Sequence, residues 1–536
     1  MTLMLTLGTA TFGAQKTLPS GKDTGSINVT NLKPGDTVTA YQFVKADYNE
    51  YGFTGYSAIN NYVKDPVAPT AQEVIDMASN AATMTVAAEK KVATGDTEVT
   101  LNGLPVGYYL VMVTSGSETV YSPMIAGIYY SKSATDNTLT NGAISADSDF
   151  EIKAQKCWAK SSTPKLEKTI VTPSSKNSKG DDIAIGDKIT FNLSATVPSY
   201  SKEYKKVTYK IYDIMSEGLD YVDGSMKCFI EKYENNRENI KVTPKVNGGI
   251  IEITFDSKFI LEHPGQKIQV EYQAKLNEKA GVNFDANINK AYLEYSNNPA
   301  SGSTAKTGED KVYVYTFGID SNLFGKSTEK WNEKTKELIK VEEGEYQWGE
   351  TEKESGIFTT TTALEGATFT LTNNKTKKSY TATSDKYGYL KFTGLDAGEY
   401  TLQETDAPDG FTLNDAKHTV VITAEYNQDG TLKSYTIKID DKATSTYTAT
   451  YDKGVIKTIT STKDSQGNIS ESAILKNSKM SFLPSTGGVG TTIFAIVGVV
   501  FVVVALGLHM ILRGKSKLEQ DLSLIHISEP TRHAQI

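Results

Sequence analysis

The sequence predicts an all-β chain of several sandwich domains, on three observations. Apolar and polar residues alternate between about 25 and 480, in a background rich in Thr, Tyr and Val. Turn signals such as Lys33-Pro34-Gly35-Asp36 punctuate the alternation. One hairpin also recurs: Gly103-Leu104-Pro105-Val106-Gly107-Tyr108-Tyr109-Leu110 returns as Gly394-Leu395-Asp396-Ala397-Gly398-Glu399-Tyr400-Thr401-Leu402, so two domains share a unit.

Taken in order, Met1 to Ala14 are apolar and small, and Ala14 precedes a polar Gln15 as at a signal-peptide cleavage site; the basic leading region is missing, so 1–14 reads as a signal remnant. An N-terminal sandwich is expected over 15–155, with a short helical stretch near Ala71 to Ala82 as the exception to the strand pattern. The polar stretch Lys160 to Pro164 and the Ser/Asn/Gly-rich stretch Ser296 to Gly308 suggest further boundaries, giving a middle domain at 156–312 and a C-terminal one at 313–482. The clearest strand places Ile189, Phe191, Leu193, Ala195 and Val197 on a core face, and Thr190, Asn192, Ser194 and Thr196 on a polar one.

The end of the chain carries an address. Ile493 to Leu512 (493–512) is an apolar run of the length that crosses a bilayer as a helix. Arg513, Lys515 and Lys517 follow it and hold that end in the cytoplasm, which places the rest of the chain outside. Residues 518–536 resemble translated sequencing adapter and are read as an artefactual tail.

Composition excludes several functions. With 536 residues and a formal net charge of -8, the chain has no basic stripe for a nucleic-acid partner. The two cysteines, Cys157 and Cys228, either pair or remain unrelated thiols, and in neither case are disulfides the main stabilising device. The five histidines are scattered without metal-ligand spacing, so no metal and no cofactor is expected. No Ser-His-Asp or phosphate-loop constellation argues for an enzyme.

Strand parity puts several polar residues among core residues. Lys168 shares a face with Leu166 and Ile170; Asp213 with Val207, Tyr209 and Ile211; Asn289 with Ala291, Leu293 and Tyr295. Burying a lysine, an acid and an amide singly costs several kcal/mol each, so the three are expected to meet. Burial disfavours charged forms. A neutral amine would then face a carboxamide whose oxygen a protonated Asp213 polarises, and Lys168 and Asn289 can join as an amide with loss of ammonia.

These residues carry a resemblance. YDIMSEGLDYV at 212–222 and NKAYLEYSNNP at 289–299 are similar to the Cna-A-type middle domain of the isopeptide-forming fimbrial shaft pilins of Gram-positive bacteria. That family has a lysine on the first strand, an aspartate in the middle and an asparagine on the last strand, as Lys168, Asp213 and Asn289 stand here. Tyr400 to Phe411 resembles the YxLxETxAPxGY box of Cna-B-type domains, which implies that Glu404 catalyses a second bond with Asn477 as acceptor. The lysine is the departure: Leu323 occupies its usual place, and Lys326 is nearby but out of phase. The N-terminal domain has Val113 where its repeat has Glu404, so no bond is expected there.

Leu483-Pro484-Ser485-Thr486-Gly487, the apolar run and the basic cluster together resemble the cell-wall sorting signal over 483–517. The resemblance implies that a sortase attacks the Thr486 carbonyl, releases Gly487 onward and passes Thr486 to an amine. For polymerisation the family uses a lysine in a YPK-like motif; Lys160, in Cys157-Trp158-Ala159-Lys160, takes that place without the Tyr-Pro and competes with Lys165 and Lys156. The expected fold is therefore tandem immunoglobulin-like, Cna-type β-sandwiches plus a C-terminal transmembrane helix. The expected function is a secreted major pilin, polymerised by sortase with copies of itself and minor pilins and anchored to peptidoglycan. A monomeric anchored adhesin with a host or surface ligand is the alternative.

Overall fold

The computed structural model describes residues 18–462, apart from 116–117, 133–142, 145–149, 172, 234–235, 320–329, 333–336, 343–344, 347–349, 353–356, 360–363, 386–389 and 441. The signal remnant, the sorting signal, the apolar span and the tail therefore lie outside the described residues, as do Lys326 and Asn477. What is described is overwhelmingly β. The main helix, Ala71–Ser79, opens on a capping box in which Thr70 and Glu73 bond each other's backbone, and a 3-10 turn at Ala81–Thr83 follows.

In the first body, strands Gly52–Ala58, Thr37–Asn49, Gly107–Thr114, Met124–Ser131 and Glu151–Ala154 form one sheet, with Val86–Lys91 also on Thr37–Asn49. It packs on a smaller sheet in which Thr24–Thr30 lies between Glu98–Pro105 and the short Cys157–Trp158. Lys33-Pro34-Gly35-Asp36 turns as its chemistry demands, with Gly35 at φ 91° and the Asp36 N–H donating to the Lys33 carbonyl.

The middle body is a two-sheet sandwich. One sheet runs Leu166–Ile170, Lys188–Thr196, Lys267–Leu276, Lys227–Tyr233 and Asn236–Ile240. The other runs Gly180–Asp182, Asp310–Tyr315, Asn287–Asn298, Tyr209–Met215, Ile250–Thr254 and Lys245–Asn247. The alternation at 189–197 behaves as its parity requires, with Ile189, Phe191, Leu193, Ala195 and Val197 all buried. Ser194 on the opposite face is buried too, so that face is not all in water.

The Ser296 to Gly308 stretch is a hairpin rather than a linker: Ser303–Lys306 pairs back on Glu294–Asn298. The chain then passes to the third body inside a single strand. In Asp310–Tyr315, Val312 and Val314 face the middle core while Tyr313 and Tyr315 face the next one. The third body is a seven-stranded sheet from Ser379–Thr383 to Val455–Thr462, with Phe317–Ile319 and Phe392–Leu395 as a second layer. The repeated hairpins match in detail. Gly103 and Gly394 both have positive φ, and the Tyr109 and Tyr400 hydroxyls each donate to the carbonyl four residues back, on Pro105 and Asp396.

Candidate functional site

Lys168 lies on the edge strand Leu166–Ile170, opposite Leu193 of Lys188–Thr196. Its backbone is clamped from outside: the N–H donates to Asp310 Oδ2 at 2.6 Å and the carbonyl accepts from Lys179 Nζ at 2.6 Å. Lys179 and Asp310 are themselves an ion pair. With the backbone held this way, parity sends the side chain into the sandwich, where it is 0% exposed. Its Nζ lies over two aromatic rings, 5.0 Å from the centre of Phe191 and 5.2 Å from that of Tyr272.

Asp213 and Asn289 come from the facing sheet and are likewise fully buried. Their strands pair so that Asp213 stands opposite Ala291 and Asn289 opposite Met215, which makes the two polar residues diagonal neighbours on one face. The structure thus brings together the three residues singled out by parity. Lys168 Nζ donates to Asp213 Oδ2 and, at 3.0 Å, to the Tyr272 hydroxyl. The Tyr272 hydroxyl donates to Asp213 Oδ1 at 2.6 Å, and Asn289 Nδ2 donates to the Tyr272 oxygen at 2.7 Å. Asn289 Oδ1 is buried with no hydrogen-bond partner. Asp213 therefore reaches Asn289 through Tyr272, and the expected contact from the acid to the carboxamide oxygen is not made.

Burial pulls the Lys168 amine below its ordinary range, and the neighbouring Asp213 only partly opposes that shift. Burial, reinforced by Asp213, lifts the Tyr272 phenol well above its ordinary value, so it stays protonated and donates. The cluster holds an amine driven towards its nucleophilic form, a carboxyl to exchange its proton, and a carboxamide within the same hydrogen-bonded group. Tyr272 was missed in the sequence because an inward tyrosine between Val270 and Ala274 reads as ordinary core.

In the third body Tyr400, Leu402 and Glu404 all point inward, as parity predicts, and Glu404 is 2% exposed and accepts the Asn414 N–H at 2.8 Å. Val113 fills the matching place in the first body and is buried. Cys157 and Cys228 are both buried and unpaired, so the disulfide alternative is set aside. Lys160 is exposed on an extended segment held at both ends, since Cys157–Trp158 pairs with Val29 and Thr30, and Ser161–Ser162 with Val120 and Tyr121. Lys156 and Lys165 are exposed as well. Among the described residues no group of His, Cys, Asp and Glu is arranged to hold a metal, and no helix is long and apolar enough to cross a membrane.

Three stretches match known families: the T6 antigen Ig-like domain over residues 22–161, a prealbumin-like fold domain over 357–438, and the LPXTG cell wall anchor motif over 476–517. The trypsin-resistant surface T6 protein of Streptococcus pyogenes serotype M6 is 26% identical, covering 93% of this chain and 96% of that one. The T6 backbone pilin of the same serotype, a modular three-domain structure, superposes with a TM-score of 0.57 at 20% identity, over 86% of this chain and 100% of that one. This is a cell-wall-anchored surface protein with the fold of a backbone pilin. The major pilin SpaD of Corynebacterium diphtheriae also aligns, at 17% identity and a TM-score of 0.44, over 74% of this chain and 90% of that one. The LPXTG anchor motif marks the chain as a sortase substrate.

Proposed function

We propose that this chain is the shaft subunit of a covalent pilus, internally tied by an amide between Lys168 and Asn289. The observation that carries the reading is the buried meeting of Lys168, Asp213 and Asn289 across the two sheets of the middle body. Three polar groups held fully inside a core cost stability unless they react or pair. Once the Lys168 proton has passed to Asp213, the free amine attacks the Asn289 carboxamide carbon, and ammonia leaves. The product is a neutral amide joining the two sheets, which keeps them from separating when the shaft is pulled end to end. Asn289 lies on Asn287–Asn298, the sheet neighbour of Asp310–Tyr315 and two strands before it in the chain, so the tie bolts sheet to sheet through the core.

Glu404 serves in the same way in the third body, with Asn477 as acceptor and Lys326 as donor. Between subunits, sortase cleaves after Thr486 and transfers it to Lys160. Support for Lys160 is its exposed side chain on a backbone pinned to the first body, next to Trp158, which is 70% exposed. Minor pilins, peptidoglycan and a surface ligand complete the set of partners. The test is an immunoblot of cell-wall extracts from sortase-positive cells: a ladder of covalent oligomers is expected, collapsing to monomer with Lys160→Ala and persisting with Lys156→Ala or Lys165→Ala. A single monomeric band from the unaltered chain overturns the shaft reading; a ladder that survives Lys160→Ala overturns that lysine alone.

A further inference from the structure

We infer that Tyr272 is a fourth member of the bond-forming group, orienting the Asn289 carboxamide and delivering the proton with which ammonia leaves. This rests on the reading of Lys168 and Asn289 as an amide-forming pair. The tyrosine hydroxyl touches both reacting nitrogens, 3.0 Å from Lys168 Nζ and 2.7 Å from Asn289 Nδ2, and it donates to Asp213 Oδ1 at 2.6 Å. It is thus the one group among the described residues that bridges amine, acid and leaving group.

Packing alone does not require the hydroxyl. The ring sits against Phe191 and Tyr221, with centroids 5.6 and 5.9 Å away, where a phenylalanine would fill the same space. The hydroxyl instead settles which end of the carboxamide points where. By accepting from Nδ2 it turns Oδ1 to a place with no partner, and so fixes the plane of the carbonyl that Nζ must approach. Asp213, bonded to Nζ and to the phenol, makes no hydrogen bond of its own to Asn289 and reaches it through Tyr272.

The proton path closes. Neutral Nζ adds to Asn289 Cγ, which makes Nδ2 a basic amine; the Tyr272 hydroxyl turns from Asp213 to Nδ2, and its proton passes there as the Cγ–Nδ2 bond breaks. The proton that Asp213 took earlier from the lysine replaces it on the phenol oxygen. The carboxylate so formed removes the second proton from Nζ, leaving a neutral amide, ammonia, and both Tyr272 and Asp213 protonated as before. No co-reactant is consumed. Burial and the neighbouring Asp213 hold the phenol protonated, so its proton is there to be given.

The full chain, kept unfolded in urea and diluted to fold, is sampled in time and digested, and the cross-linked peptide joining Lys168 to Asn289 is measured by mass spectrometry. Tyr272→Phe is expected to slow its appearance by roughly 10²-fold, the scale of one general acid. Incorporating 3-fluorotyrosine, of nearly the same shape but with a more acidic hydroxyl, is expected to change the rate, which a merely structural tyrosine would not do. Cross-linking at an unaltered rate in both variants overturns the role of Tyr272 while leaving the bond; if Tyr272→Phe does not fold, the fluorotyrosine chain alone decides. Absence of the cross-linked peptide from the unaltered chain overturns the amide reading itself.

Discussion

Asn289→Ala removes the acceptor and leaves Lys168 bonded to Asp213 and Tyr272, so it isolates the contribution of the tie better than removal of the lysine or the acid. The amide closes a loop of about 120 residues, from 168 to 289, and chain-entropy reasoning assigns such a closure about 5 kcal/mol through restriction of the unfolded chain. For a domain of this size, each kcal/mol moves the melting point by about 2–4 °C, so the middle body should melt on the order of 10–20 °C lower. Scanning calorimetry of the full chain measures it, with digestion and mass spectrometry reporting whether the bond is present. Asp213→Ala should also lack the bond but fall further, because it leaves the buried amine without its acid. If the unaltered chain carries the bond and Asn289→Ala melts within a few degrees of it, the reasoning that the tie works through loop closure is wrong.

Two further outcomes follow from the third body. Asp182 sits at its joint with the middle body, accepting from the Tyr426 hydroxyl at 2.6 Å and from the Ala397 N–H, and burial raises its pKa from 3.8 to about 6. Since the folded form holds the proton more tightly, its stabilising share is complete below about 3.8 and falls away as pH rises to about 6, by about 3 kcal/mol in all. Urea unfolding between pH 4 and 7 should show this loss relative to Asp182→Asn, and parallel pH profiles for the two chains would sink the assignment. Glu404→Ala should remove any peptide joining Lys326 to Asn477 while the Lys168–Asn289 peptide persists; survival of the first in peptide maps would show that Glu404 is not its catalyst.

Particular residues show how far the sequence could be read. A period of two is the whole signal needed to aim Lys168, Asp213, Asn289 and Glu404 inward, because successive side chains of a strand alternate between faces. Strand parity does not mark where the middle and third bodies meet. In Asp310–Tyr315 both faces are apolar, two valines against two tyrosines, so alternation carries no contrast and one strand serves two cores. The Ser296 to Gly308 stretch forms a hairpin, which its turn-forming composition suits as well as it suits a linker.

By itself, the sequence determined the all-β class, the inward face of Lys168, Asp213, Asn289 and Glu404, the repeated hairpin and the sorting signal. Each is local, written in a few consecutive residues. Which inward groups meet was decided only by tertiary structure: Lys168 and Tyr272 belong to one sheet, Asp213 and Asn289 to the other, and strands far apart in sequence bring them together. Strand parity says which way a side chain points but not what it meets, and so the hydroxyl of Tyr272, one aromatic among many in the core, emerged as the link between amine, acid and amide only when the two sheets were packed.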